Sequence, residues 1–321
     1  MTQTVLLTDY AWPDDRIERE LIEGAGYRLV SGPANPASAE HIESLAREYR
    51  PSAILTCWAQ VSAAAIEAAP SLKIVARLGV GLDNIAVDAA TARGVWVTNV
   101  PDYCVAEVSD HAVGFALCWT RGLTHFDREV RSGRWDPASA RLRRISELTC
   151  GIIGFGRIGR ATATKMAALG CDVVVHDPYA STDGGSGVRL VSMDELLGSS
   201  DIIVVHAPLT PDTHHLIGRE ALSRMRRGSL LINVSRGGVA DTQAVIEALE
   251  SGQLGGVGLD VLESEPEVPP QLLAHPGAMI TPHVAFSSDA SLIELRRRAA
   301  EEVVRVLSGS APEQPRNRPA L

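Results

Sequence analysis

The stretch 150–177 constrains the fold more than any other, because a strand, a glycine-rich turn, a helix and a second strand follow one another there. The turn has the spacing Gly154-x-Gly156-x-x-Gly159, and the second strand ends at Asp177. In such a unit the glycines permit a tight turn, a close approach of the backbone to a pyrophosphate, and close packing of helix on strand. The helix N-terminus offers N–H groups to the phosphates, and the terminal acid can bind ribose hydroxyls. The stretch therefore predicts a dinucleotide-binding unit.

The rest of the chain predicts two sheets. Its 321 residues exceed what one hydrophobic core usually serves. Short apolar strands, among them Ala53–Thr56, Ile74–Arg77 and Ile202–Val205, alternate with helical patterns both before and after residue 101. This alternation is typical of parallel sheets covered by helices on both faces. A last helical pattern at 288–307 has one apolar face, which we expect to pack against the first unit.

Composition and charge exclude several classes of partner. The net charge of −9 argues against a nucleic-acid partner, since phosphate neutralisation needs a basic surface. No apolar run approaches membrane-spanning length, and the N-terminus lacks a basic segment with a cleavage site. The five cysteines have no CxxC spacing, so we expect small reduced core residues. The interpretation is a cytoplasmic protein without a membrane partner.

Three candidate residues for chemistry, Arg236, Glu265 and His283, follow predicted strands in the second half. Ligands bind at the carboxyl ends of strands in open α/β sheets. An arginine there can clamp a carboxylate, and a histidine held by an acid can exchange a proton near neutral pH. Singly, each could be a surface arginine, a solvated acid or a packed histidine. Together, after a dinucleotide turn, they favour hydride transfer with acid–base assistance.

Eight motifs carry a resemblance to a known family. In chain order they are RLGVGLDN from Arg77, NVPDYC from Asn99, EVSDH from Glu107, GIIGFGRIG from Gly151, HAPLTPDT from His206, NVSRGG from Asn233, LDVLESEP from Leu259 and TPHVAF from Thr281. Over nearly its full length the chain resembles the D-isomer-specific 2-hydroxyacid dehydrogenases. It is most similar to the branch that contains C-terminal-binding-protein-like and phosphoglycerate-dehydrogenase-like enzymes.

The resemblance implies an α/β protein with two doubly wound parallel-sheet domains. A Rossmann-type cofactor domain, residues 101–286, is expected to be inserted in a discontinuous flavodoxin-like substrate domain, residues 1–100 and 287–321. It also implies a homodimer joined through the cofactor domain, with residues 105–137 supplying much of the contact. Trp135 could be an anchor of that contact or a residue of the local core.

The resemblance also assigns the site. Arg236, Glu265 and His283 match the family's catalytic residues, and Glu265 is selected over Glu263 and Glu267 because it precedes a proline. The residues that match cofactor-binding positions for NAD are Gly154, Phe155, Gly156, Arg157, Ile158, Gly159, Asp177, His206, Ala207, Pro208, Thr213, Val234, Ser235 and Asp260, the last for the nicotinamide carboxamide. Those that match substrate-binding positions are Arg77, Val80, Gly81, Arg236, His283 and Phe286, and no metal is implied.

The predicted function is therefore an NAD-dependent oxidoreductase that transfers a hydride between the nicotinamide and a D-2-hydroxy acid/2-oxo acid pair. His283 is the expected acid and base, Glu265 its partner, and Arg236 the ligand of the substrate carboxylate. Arg77 could bind a second anionic group of the substrate, or be a structural residue paired with an acid. The alternative function is a non-catalytic, NAD(H)-sensing scaffold like the animal corepressors of this branch.

Overall fold

The chain folds as two α/β units, and the structure, a computed structural model, describes residues 2–180 and 188–319. Unit 1 comprises Met1–Tyr103 and Ser288–Leu321, and unit 2 comprises Cys104–Ser287. Each unit contains one sheet whose paired strands run parallel. The predicted α/β class with two parallel sheets, one unit inserted in the other, is confirmed.

Unit 1 has a five-stranded sheet covered by short helices. Its strands are β1 (Thr4–Leu7), β2 (Arg28–Ser31), β3 (Ala53–Thr56), β4 (Ile74–Arg77) and β5 (Trp96–Thr98), and its first four helices are α1 (Arg16–Gly24), α2 (Ala39–Tyr49), α3 (Ala63–Ala68) and α4 (Val87–Ala92). The strand order is β2-β1-β3-β4-β5. β3 and β4 are buried at every residue, which is typical of parallel strands with helices on both faces.

Unit 2 has a seven-stranded sheet. Its strands are β6 (Thr149–Ile153), β7 (Asp172–His176), β8 (Arg189–Leu190), β9 (Ile202–Val205), β10 (Ser229–Asn233), β11 (Leu254–Leu259) and β12 (Ala278–Ile280). Its helices are α5 (Val105–Arg121), α6 (Leu123–Arg131), α7 (Arg157–Ala168), α8 (Met193–Ser199), α9 (Arg219–Arg224), α10 (Thr242–Glu250) and α11 (Pro270–Ala274). The strand order is β12-β11-β10-β9-β6-β7-β8. The order reverses between β6 and β9, and open α/β sheets bind ligands at the carboxyl ends of strands beside such a switch point.

Helix α5 lies unusually close to strand β11. A Cβ added at Gly258 would be 2.6 Å from Phe115 of α5, and one at Gly256 would be 2.7 Å from the Trp119 ring. Only residues without a side chain allow this approach, so the two glycines set the distance between helix and strand.

The last helix, α12 (Asp289–Leu307), belongs to unit 1 and packs on α1. Ser288 caps it through a reciprocal bond pair with Ser291. The buried guanidinium of Arg296 donates to both carboxylate oxygens of the buried Glu18, at 2.9 and 2.8 Å. This pairing leaves neither charge unmatched in the interior. No helix among the described residues combines the length and the apolar composition needed to cross a membrane.

Two expectations about side chains have different outcomes. Cys57, Cys104, Cys150 and Cys171 are buried free thiols, as expected, whereas Cys118 is only partly buried. Burial raises the pKa of Cys57 to about 12. Trp135, in contrast, is 83% exposed, so its interpretation as a local core residue is wrong. Helix α6 ends four residues before Trp135, at Arg131, so the indole lies outside that helix.

Candidate active site

The glycine turn after β6 has the shape that a pyrophosphate requires. Gly154 has a φ of +93°, and a Cβ there would be 2.8 Å from the backbone nitrogen of Ala207. A Cβ at Gly159 would be 2.1 Å from the carbonyl oxygen of Gly154, whereas one at Gly156 would meet nothing within 4 Å. Gly156 is also the N-cap of α7, and no side chain caps that helix. The first N–H groups of α7 therefore border open space, which fits the phosphates of a dinucleotide.

Asp177 lies beside this turn. One carboxylate oxygen accepts the N–H of Phe155 at 2.6 Å, and the other accepts the N–H of Tyr179 at 2.8 Å. These bonds fix the carboxylate, and each oxygen keeps a further lone pair that a ribose hydroxyl can use. Neither Pro178 nor Tyr179 supplies a cation to offset its charge.

The loop after β9 is held mostly by its own side chains. The His206 ring lies 2.9 Å, Nε2 to Oγ1, from Thr162 of α7, and burial lowers the pKa of His206 to about 3. This imidazole is therefore neutral near neutral pH. The Thr213 hydroxyl donates to the carbonyl of Pro208 at 2.6 Å and accepts the N–H of Thr210 at 2.7 Å. The cofactor contacts predicted for this loop stay predictions.

Asn233, at the end of β10, shapes the turn that carries Arg236. Its buried amide oxygen accepts the N–H of Ser235 at 3.1 Å, and its amide nitrogen donates to the carbonyl of Arg236 at 2.9 Å. A Cβ at Gly237 would lie 2.0 Å from the carbonyl of Leu262, so the next loop along the sheet touches this turn. Asn233 is not among the predicted site residues, although an Asn just before a short polar turn is a recognisable signal.

Glu265, not Glu263, is paired with His283. Nδ1 of His283 lies 2.8 Å from Oε2 of Glu265, whose Oε1 accepts the N–H of Leu262 at 2.9 Å. Burial raises the pKa of Glu265. This effect is outweighed by the hydrogen bond and charge of His283, the N–H of Leu262 and the charge of Arg236, all of which lower the pKa. The pKa of Glu265 therefore lies below its ordinary value, and the group is a carboxylate near neutral pH.

Glu263 is engaged elsewhere. It binds Nε2 of His215 at 2.6 Å and the N–H of Thr242 at 2.7 Å. Glu263, His214 and His215 form the single group of potential metal ligands among the described residues, and their ligand atoms lie within 4.8 Å of one another. However, the two imidazole rings are stacked, 4.0 Å apart and 25° from parallel. A metal ion has to lie near the plane of each imidazole that it binds, so this stacking does not suit a shared ion.

His283 lies in a tight turn after β12, and Asp260, the residue that follows β11, binds this turn through hydrogen bonds. His283 has a φ of +52°, in the left-handed region. Asp260 is only 2% exposed, and its two carboxylate oxygens accept the N–H groups of Val284 and Ala285, each at 2.9 Å. The nicotinamide contact expected of Asp260 stays a prediction. Phe286, from the predicted substrate set, has its ring edge-on to His283 with centroids 6.4 Å apart.

The remaining predicted substrate residues belong to unit 1. Arg77 is 5% exposed, and its guanidinium donates to the amide oxygen of Asn84 at 3.0 Å and to the carbonyl of Leu78. No carboxylate lies within ion-pair distance of Arg77 in the part of the chain that is described. The loop at Val80 is tied by a bond from the Asn99 amide to its carbonyl. The substrate contact predicted for Arg77 stays a prediction.

Comparisons with known proteins place this site in a family. Residues 113–285 match the family model described as D-isomer specific 2-hydroxyacid dehydrogenase, NAD binding domain. D-3-phosphoglycerate dehydrogenase of Mycobacterium leprae is 39% identical over 251 residues, 78% of this chain and 48% of the relative. Glyoxylate reductase of Korarchaeum cryptofilum is 37% identical over 78% of both chains.

The structural comparison agrees. The crystal structure of D-lactate dehydrogenase from Aquifex aeolicus complexed with NAD and lactic acid matches with a TM-score of 0.87 and 27% identity. This match covers 98% of the present chain and all of the other. The chain spans about half the length of the phosphoglycerate dehydrogenases that it matches. It belongs to the D-isomer-specific 2-hydroxyacid dehydrogenase family, on the phosphoglycerate-dehydrogenase-like branch, and contains that family's NAD-binding domain.

Proposed function

We propose that the chain is an NAD-dependent D-2-hydroxyacid dehydrogenase that interconverts a 2-oxo acid and a D-2-hydroxy acid. The observation that carries this proposal is the bond between His283 and Glu265, with the charge of Arg236 close enough to lower the pKa of the same carboxyl. All three residues follow strands of the sheet that also carries the glycine turn. NAD, when bound, supplies or accepts the hydride.

Arg236 is assigned to the substrate. A guanidinium presents parallel N–H donors that match a carboxylate, and it can polarise a neighbouring carbonyl as negative charge develops on the oxygen. The turn formed by Asn233 and Ser235 holds the backbone of Arg236 in place for this role. Val80 and Gly81 are assigned a backbone contact to the carboxylate through the resemblance alone.

His283 is assigned to proton transfer. Because Glu265 is ionised, Nδ1 of His283 carries the hydrogen of their bond, and exchange with substrate is left to Nε2. In reduction the protonated imidazole donates to the carbonyl oxygen, and in oxidation the neutral imidazole accepts the hydroxyl proton. The Glu265 carboxylate stabilises the protonated form and orients the ring.

The substrate is proposed only as a class. The relatives are named for phosphoglycerate, glyoxylate and lactate. These compounds share the 2-hydroxy or 2-oxo carboxylate and differ in the rest of the molecule. Arg236 and His283 can read the shared part, so the class of 2-oxo acids is what the site supports.

The test is a screen of 2-oxo acids for oxidation of NADH, run in parallel with NADPH and with His283→Ala as the control, in which loss of the proton donor should lower kcat about 10²–10⁴-fold. We expect turnover of at least one acid and a preference for NADH, because Asp177 repels a 2′-phosphate. Equal kcat/KM with both cofactors would contradict the role of Asp177. No turnover with any acid would favour the NAD(H)-sensing scaffold, which no observation here supports independently.

We also propose the domain roles and a homodimer. Residues 1–100 and 287–321 are assigned to substrate and residues 101–286 to NAD, as the resemblance implies. The dimer contact is assigned to residues 105–137. Three apolar side chains on and after α6 support it, since Trp135, Leu123 and Val130 are 83%, 55% and 49% exposed. Val130 and Trp135 line the same shallow cavity, and exposed apolar side chains grouped in this way are typical of a contact surface.

A further inference from the structure

The backbone of His283 needs an explanation that the proposed reaction does not give. Its φ of +52° lies in the left-handed region, which is unfavourable for any residue with a side chain and persists only where surrounding contacts enforce it. The imidazole direction depends on this backbone. Whatever holds the turn therefore also holds the acid–base group.

Asp260 supplies the first set of these contacts. The N–H of His283 donates to the Asp260 carbonyl at 2.8 Å, and the N–H groups of Val284 and Ala285 donate to its carboxylate at 2.9 Å. Three successive backbone donors thus end on one residue. The two bonds to the carboxylate are charge-assisted, and because Asp260 is buried, all three are shielded from water and hold the turn firmly.

Thr281 connects Asp260 to a second helix. Its hydroxyl donates to Oδ1 of Asp260 at 2.6 Å and lies 2.9 Å from Nε2 of His111 on α5. A hydroxyl has a single hydrogen, so while it donates to Asp260 the partner at His111 has to be a donor. The chain of bonds then runs in one direction, from His111 Nε2–H through Thr281 to Asp260.

Helix α5 is well placed to fix His111. The His111 ring packs edge-on against Phe115, with centroids 4.8 Å apart and planes at 87°. Phe115 in turn occupies the space left by Gly258 in β11, the strand that ends immediately before Asp260. His111 also closes the EVSDH motif, for which the proposed function has no use.

We propose that His111 is a positioning residue for His283. Its Nε2–H orients the Thr281 hydroxyl, which completes the hydrogen bonds of the Asp260 carboxylate and so keeps the left-handed turn and the His283 ring in place. This inference rests on the proposed function for its catalytic consequence, but the positioning itself does not require turnover.

The test uses the full chain with His111→Phe, which keeps an aromatic ring but removes the N–H donor, and with Thr281→Val, which removes the hydroxyl at nearly constant volume. Their matched controls are His111→Gln, which keeps an N–H donor, and Thr281→Ser, which keeps the hydroxyl. We expect kcat to fall about 10- to 100-fold in the first pair, as for a misplaced catalytic group, with little change in the Kd for NADH. The controls should retain most of the parent kcat.

Two further measurements separate positioning from stability. The double variant His111→Phe/Thr281→Val should lose no more than the worse single variant, since both act through one chain of bonds. In a His283→Ala background, His111→Phe should have no further effect on kcat. The proposal would be overturned if the losses in kcat multiplied in the double variant, or if His111→Phe lowered kcat further in the His283→Ala background. A lowered melting temperature with unchanged kcat would overturn it as well.

The ring signals of His283 provide a readout without substrate. In ¹⁵N-labelled protein they can be assigned by their loss in His283→Ala. They should shift or split in Thr281→Val and stay as in the parent in Thr281→Ser. Unchanged signals in Thr281→Val would refute the positioning role, whether or not the parent turns over a 2-oxo acid. A parent chain that turns over no 2-oxo acid would count against the proposed function and not against the positioning role.

Discussion

At the scale of single residues, the acid–base pair gives the sharpest expectations. Three acids lie between residues 263 and 267 in this loop, and spacing alone does not say which of them faces His283. The structure separates two of them by their partners, since Glu263 binds His215 and Thr242 while Glu265 binds His283. The backbone conformation of the loop determines which glutamate faces His283, and the hydrophobic periodicity of the sequence does not predict that conformation. Only the resemblance to a family singled out Glu265 beforehand.

Glu265→Gln should move the pH profile. The lowered pKa of Glu265 keeps it charged through the neutral range, so the change removes a negative charge beside His283 and makes the imidazolium less stable. Reduction needs the protonated ring, and its high-pH limb of kcat/KM should move to lower pH. Oxidation needs the neutral ring, and its low-pH limb should move in the same direction. Glu263→Gln is the control, and it should leave both limbs in place.

Stationary limbs in Glu265→Gln would mean that His283 is not the titrating group or that another acid is its partner. If the limbs of the two reactions moved in opposite directions, His283 could not be the titrating group of both, because in this scheme a single proton governs reduction and oxidation.

Arg236→Ala should separate substrate binding from cofactor binding. Loss of two charge-assisted hydrogen bonds should lower kcat/KM for a 2-oxo acid about 100-fold or more, while the Kd for NADH changes little. Arg141→Ala is a suitable control, because in the described part of the chain the exposed Arg141 bonds only carbonyls of its own loop, at Ala138 and Ala140. Retained turnover with lost NADH binding would place Arg236 at the cofactor.

At the scale of elements, the sequence predicts best what is long or buried. The apolar runs of β3, β4 and β9 have the predicted bounds, because a strand covered on both faces is apolar at each residue. Helices α4 and α11, with six and five residues, were not predicted. Helices this short depend on tertiary packing and not on their own propensity. The same limit applies to β8, which has two residues at the edge of its sheet.

The turn between β6 and α7 allows a paired test of two glycines. Gly156→Ala should fold with an unchanged melting temperature, since its Cβ meets nothing within 4 Å, yet it should weaken NADH binding about 10-fold or more, because the methyl group lies where the phosphates approach. Gly159→Ala should destabilise the fold by about 1–3 kcal/mol, because its Cβ would lie 2.1 Å from a backbone oxygen. Calorimetry and NADH fluorescence measure the two effects.

The two glycine variants would contradict this account if they behaved alike. Equal destabilisation would mean that the space at Gly156 is filled in the folded chain. Unchanged NADH affinity in Gly156→Ala would move the pyrophosphate away from the N-terminus of α7.

At the scale of the whole molecule, the feature that local pattern could least predict is the exposure of Trp135. Its neighbours in sequence are polar, and the indole was equally compatible with a local core and with a contact surface. The structure leaves it on the surface of unit 2, where Val130, Trp135 and Leu142 line a shallow cavity of about 280 Å³. A large exposed aromatic side chain beside other apolar groups is typical of a protein interface.

Trp135→Glu should therefore shift the chain from dimer to monomer. An aromatic anchor at an interface contributes about 2–4 kcal/mol to binding, so the dimer Kd should rise roughly 30- to 1000-fold. Sedimentation equilibrium over a range of concentrations measures this Kd, and Leu273→Glu is the matched control, because Leu273 is another exposed apolar residue of unit 2, outside residues 105–137. A parent chain that stays monomeric, or equal effects of the two variants, would remove the α6 surface from the contact. A dimer that loosens only with Trp135→Glu would locate that contact on the cofactor domain.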